Sequence, residues 1–158
     1  MKHLLKVTIV LATILAAISC EKKIDVPEEP LLDVTANNIS GIWKVAEWNG
    51  HSLEEGTYVY IEFTRRDQTF TIYQNTDSFI ARKITGRFNI TEDEEFGAII
   101  RGQYDYGNGD WRHRYIVREL KKSTMTWIAK DDVDDITVYE RCDEIPADIL
   151  AQTHHNEE

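Results

Sequence analysis

Two hydrophobic patterns divide the chain. From Val7 to Ile18 the residues are apolar or uncharged without a break. From Gly41 onward the chain is a series of short runs rich in Val, Ile, Thr, Tyr, Phe and Trp, with turn residues between them. Alternation with a period of two marks strands with one buried face. The runs predict eight strands: Ile42–Trp48, Tyr58–Thr64, Thr69–Gln74, Ile80–Ile90, Ala98–Asp105, Arg112–Leu120, Thr124–Ala129 and Ile136–Arg141. No ten-residue stretch of this region carries the apolar repeat of an amphipathic helix.

The connections are short. Asn49-Gly50 suits a turn with positive φ, Arg65-Arg66-Asp67-Gln68 is a compact polar loop, and Gly107-Asn108-Gly109-Asp110 is the strongest reversal signal in the chain. Parallel neighbours would need crossovers of a dozen or more residues, so the strands are expected to be antiparallel. The expected fold is all-β, an eight-stranded up-and-down barrel, which removes the edges an open meander would expose.

Alternation also predicts the interior. Val59, Ile61 and Phe63 share one face, as do Phe70 with Ile72, and Ile84 with Phe88 and Ile90. Later groups are Trp111, His113, Tyr115 and Val117, then Met125 and Trp127, then Ile136 and Val138. So bulky a lining leaves a narrow cavity or none, because an eight-stranded barrel holds either its own side chains or one small ligand.

The N-terminal run has a different purpose. Lys2 and Lys6 precede it, small residues follow, and Cys20 ends it. This is signal-peptide organisation over residues 1–19, too short for a spanning helix of roughly 20 residues. Ala17-Ile18-Ser19-Cys20 resembles the lipobox of bacterial lipoproteins, which implies cleavage before Cys20, lipid on its thiol and a place in the cell envelope, on an outer-membrane face left open. Residues 20–40, with Pro27 and Pro30, are expected to form the lipidated cysteine and a flexible tether. The barrel domain is then 41–146, and 147–158 a short helical turn and a frayed tail.

Charge narrows the partners. Loss of residues 1–19 removes two lysines and no acid, leaving 16 basic side chains against 28 acidic ones. Nucleic acid is excluded, since its phosphates demand clustered Lys and Arg. An anionic lipid surface is disfavoured for the same reason, so the membrane link is expected to be covalent.

Several motifs carry a resemblance to a known family. Gly41-Ile42-Trp43 at the start of the first strand resembles the Gly-x-Trp signature of the lipocalins. Trp111-x-x-x-Tyr115, Met125-x-Trp127 and Tyr139-Glu140-Arg141-Cys142 are similar to the small lipocalin-like domains of bacterial lipoproteins. The resemblance implies that Arg141 lies across Trp43 and closes one end of the barrel. A small hydrophobic ligand is one expectation, and alternation makes Trp111, His113, Tyr115, Met125 and Trp127 its possible lining, with His113 either a ligand contact or, near a strand end, solvated or bonded to a neighbouring carbonyl.

Other clusters read more plainly. Asp131 to Asp135 hold four carboxylates before the last strand, but the glycine and glutamate of a calcium loop are missing. Cys142 has no signature of a nucleophile and reads as packing. Arg112, Arg114 and Arg118 share one face, either solvated or holding an anionic headgroup or glycan carboxylate. No Gly-x-Ser-x-Gly, P-loop lysine, His-Glu-x-x-His or dinucleotide fingerprint occurs, and no cofactor or enzymatic activity is expected. Two functions stay open: a lipid-anchored binding module for a small hydrophobic molecule or glycan or lipid fragment, and a filled barrel serving as accessory subunit to an envelope protein partner.

Overall fold

The structure, a computed structural model, describes residues 28–76, 80–107 and 109–155. Cys20 and the signal-like segment lie outside the described residues, as does Asn108 of the expected reversal.

One antiparallel sheet contains β1 (Gly41–Trp48), β2 (His51–Ser52), β3 (Val59–Thr64), β4 (Thr69–Gln74) and β5 (Arg82–Asp93). It continues through β6 (Gly97–Tyr104), β7 (Tyr115–Arg118), β8 (Thr124–Ala129) and β9 (Asp132–Cys142). Each strand from β3 to β9 pairs with the next, and β1 pairs with both β3 and β9, closing the barrel. The barrel thus has the eight strands and up-and-down order expected, with β2 as an added hairpin strand on β1. Its turn is Asn49-Gly50, with φ of 53° and 75°.

Three strands differ from the pattern by more than one residue. β5 runs on to Asp93, because Thr91, Glu92 and Asp93 pair with Ile99, Ala98 and Gly97 where no core marks them. β9 begins at Asp132, so Asp132, Asp134 and Asp135 stand in a strand rather than a turn. β7 keeps only Tyr115–Arg118, because the chain from Trp111 to Arg114 bends away from the ladder.

The interior follows the alternation except at His113 and along β9. Ile61, Phe63, Phe70, Phe88, Val117, Met125 and Trp127 form one buried cluster. In β9, however, Met125 is opposite Tyr139 and Trp127 opposite Thr137, so Thr137 and Tyr139 face inward and the expected Ile136 and Val138 face out. A shift in register between Ile128 and Ala129 accommodates the turn there. A similar shift between Val45 and Glu47 turns Trp48 inward, where strict alternation would have placed Glu47.

One end of the barrel is closed by residues expected to be a tether. Residues 35–39 cap and form α1 (Ala36–Ile39), with Thr35 accepting a hydrogen bond from the Asn38 N–H. Ile39 is fully buried, Leu32, Val34 and Ala36 pack on the core, and the Leu32 N–H donates to the Leu120 carbonyl. Trp43 is 0% exposed, and its indole N–H donates to the Ile39 carbonyl at 2.7 Å. The Arg141 guanidinium lies 4.0 Å over the Trp43 ring and donates to the carbonyls of Asn38, Ser40 and Lys122. Stacking contributes about 0.5–2 kcal/mol, depending on burial.

Gly41 makes this closure possible. Its φ is 115°, and a Cβ there would stand 2.6 Å from an Arg141 nitrogen. The glycine of Gly-x-Trp is therefore required twice, for its backbone angle and for the arginine that closes the end.

The C-terminal segment is more than a helical turn. α2 (Ala147–His155) starts after Pro146 and lays Ile149 against the barrel's outer wall, with Ile145, Tyr60 and Tyr73.

Candidate ligand-binding cavity

Halfway along the barrel the aromatic side chains meet. The Trp127 ring lies 5.6 Å from Trp111, 5.2 Å from Tyr115 and 4.8 Å from Tyr139. Phe70 packs 4.9 Å from Trp111 on the other side. These tilted and edge contacts are the arrangements aromatic quadrupoles favour. Toward the closed end the barrel is filled.

Toward the other end it is not. A cavity of about 530 Å³ opens there, with Trp111, Tyr115, Trp127 and Tyr139 in its lining. Val45, Val59, Ile72 and Tyr104 add to the walls, and Trp48, Leu53, Arg112 and Asp135 stand near the mouth. The sequence suggested a narrow cavity or none; the barrel is instead divided into a packed half and an open half.

The position of Trp111 depends on one glycine. Gly102 faces inward between Ile100 and Tyr104, and a Cβ on it would meet the Trp111 ring at 2.1 Å. The Trp111 backbone N–H also donates to the Gly102 carbonyl. With its ring on bare backbone, Trp111 holds the wall where β6 and β7 share only two residue pairs.

The cavity interior is neutral. Burial pushes the Tyr115 phenol up to about 12, with the negative charge of Asp135 adding to the shift. Burial likewise raises Tyr139 and Tyr104 above the ordinary phenol value. All three stay protonated at physiological pH. Formal charges in the lining are confined to Arg112 and Asp135, and Asp135 accepts the Trp48 indole N–H at 2.7 Å. Two further indole donors, on Trp111 and Trp127, are buried without a hydrogen-bond partner. Leaving a buried donor unpaired costs roughly 1–3 kcal/mol.

Two residues of the expected lining lie elsewhere. Met125 is fully buried in the packed half, below the cavity. His113 sits outside the barrel, its Nδ1 2.7 Å from the Asp131 carboxylate, because the bend after Trp111 breaks the alternation that would have turned it inward. The hydrogen bond to His113 lowers the Asp131 pKa. Asp131 and Asp135 thus serve different partners, and no group of three His, Cys, Asp or Glu side chains among the described residues could hold a metal ion. Cys142 is half-buried against the outer cluster under α2, and burial pushes its thiol up, away from nucleophilic reactivity. Missed from sequence were Val45, Trp48, Leu53, Tyr104, Thr137 and Tyr139. A signal was present for Tyr139, as part of the last motif, and for Tyr104, in step with Ile100 along β6; bulge positions were not readable.

A barrel with one end closed by an arginine across a tryptophan and the other opening into a cavity can be compared with known families. The lipocalin-like domain family matches residues 39–127. The chain belongs to this family. No curated protein matches it. The matched region of this lipocalin-like protein holds Gly41, Trp43 and Trp127, and Arg141 completes the closed end from beyond it.

Proposed function

We propose that this lipocalin-like protein is a lipid-anchored envelope lipoprotein that binds one small, neutral, largely hydrophobic molecule at the open end of its barrel and catalyses nothing. The cavity is the observation that carries the reading. At about 530 Å³ it lies within the range of small-molecule pockets, roughly 300–1,000 Å³, and it has their composition, aromatic walls with few polar groups.

Anchoring rests on the lipobox-like residues before Cys20. Glu28 pairs with Lys121 and Glu29 accepts from Ser123, so the chain enters the domain at its closed end. The eight residues from Cys20 to Glu28 reach at most about 30 Å. A lipid on Cys20 would keep the closed end near the membrane and allow the mouth to face away.

One feature favours a protein partner as well. Trp48, Ile80, Tyr106 and Val133 are exposed, and the topology places all four at the open end. Such a rim suits an envelope protein that receives or delivers the ligand.

The test uses a neutral apolar fluorophore, N-phenyl-1-naphthylamine, titrated into the protein. Saturable enhancement is expected, and Thr137→Trp, which adds bulk to the cavity wall, should abolish it. Enhancement that never saturates, or that survives Thr137→Trp, would discard the cavity as the site. Separately, Cys20→Ala should release the protein from the membrane fraction.

A further inference from the structure

The outer wall of the barrel carries a second concavity, of about 590 Å³. Arg87 faces Gln103 across the β5–β6 ladder, and Asn89 faces Arg101. All four point outward, because Gly86, Phe88 and Gly102 point in. Beside them, where β6 runs past the start of β7, the bent segment from Trp111 to Arg114 adds Arg112, His113 and Arg114 to the same groove. The His113–Asp131 contact pins this segment to the β8–β9 turn.

Four guanidiniums therefore converge from three stretches of a chain whose formal net charge is −10. Two carboxylates, Asp110 and Asp131, share the groove, which leaves the arginines in excess. Among the described residues none of the four arginines forms an ion pair; Arg101 donates to the Asn89 side chain, and Asp131 is taken by His113. Cations without an ion-pair partner that line one groove repel one another. A guanidinium's planar fork matches carboxylate and phosphate oxygens, and the amides of Asn89 and Gln103 supply further donors. Arg118, which sequence grouped with Arg112 and Arg114, lies outside the groove.

We propose that this outer groove is a binding site for a small polyvalent oxyanion, bearing carboxylate or phosphate groups, outside the barrel wall whose Trp111 and Arg112 also border the cavity. Its volume suits a single small molecule. The inference is independent of the hydrophobic cavity and of membrane anchoring.

Calorimetric titration of the intact protein with citrate and with inorganic pyrophosphate tests it. Saturable one-to-one binding of at least one probe is expected, citrate alone marking a carboxylate site and pyrophosphate alone a phosphate site. The Arg87→Gln/Arg101→Gln double variant should weaken binding at least about tenfold, and Arg118→Gln should leave it unchanged. Should the double variant fail to fold, the arginine Nε–H resonances of the unaltered protein serve instead, with Arg87 and Arg101 shifting on titration and Arg118 not. Absence of binding by both probes, or equal loss with Arg118→Gln, overturns the proposal. Fluorophore uptake by the double variant should stay normal, so a failure here and a failure of the cavity reading are told apart.

Discussion

The two ends of the barrel are made by the same strands, and each has a tryptophan from β1. At the closed end Trp43 is wholly buried, its N–H is bonded, and Arg141 above it bonds three carbonyls. At the open end Trp48 is 50% exposed, and the indoles of Trp111 and Trp127 below it have no partner. Alternation runs from one end to the other apart from two register shifts, both toward the open end. The difference comes from what covers them: α1 and Arg141 fill and satisfy one end, and no segment among the described residues does this at the other. An end whose tryptophan and arginine are both bonded is a structural plug, whereas one with free volume has room for a guest.

The largest effect should separate the ends by stability. Trp43→Ala is expected to cost about 3–5 kcal/mol in chemical denaturation, as for other fully buried aromatics. Arg141→Lys should not preserve the closure, since one ammonium cannot reproduce a planar fork over three carbonyls. A cost below about 1 kcal/mol for Trp43→Ala would refute the plug.

Gly102→Ala should cost less, about 1–3 kcal/mol from overpacking, while displacing Trp111. Tryptophan fluorescence and fluorophore affinity should change with it. Unaltered affinity would mean that Trp111 does not shape the cavity.

The smallest effect comes from pH. Tyr115 has a folded pKa raised from 10.0 to about 12, so the fold favours its neutral form. That contribution is complete below pH 10 and is lost as pH rises through about 12. Melting temperature should fall across this window, and Tyr115→Phe should reduce the fall. The same fall in Tyr115→Phe would place the alkaline sensitivity elsewhere.

Much of this was legible in the alternating runs. Strands with apolar inward faces, such as Val59 to Phe63 and Met125 to Trp127, have one face they can bury, and their order with short turns leaves few topologies. Trp43 and Arg141 were legible through their motifs, and the two stand opposite each other in the β1–β9 ladder. The structure brings the rings of Trp111, Tyr115 and Trp127 together. His113 and the inward face of β9 were misjudged for one reason: each lies beside a bend or bulge, and one displaced residue exchanges the two faces of a strand.

The sequence by itself determined the class of fold, the order of strands and the aromatic character of the interior, because these depend on local alternation and turn chemistry. Tertiary structure decided which end is plugged, how much volume remains and which charges meet outside. Those depend on Arg141 reaching back to residues 38–43, on two register shifts, and on arginines from distant stretches arriving at one groove. Such contacts form only when the closing strand pair brings the ends of the chain together, and no local pattern encodes that distance.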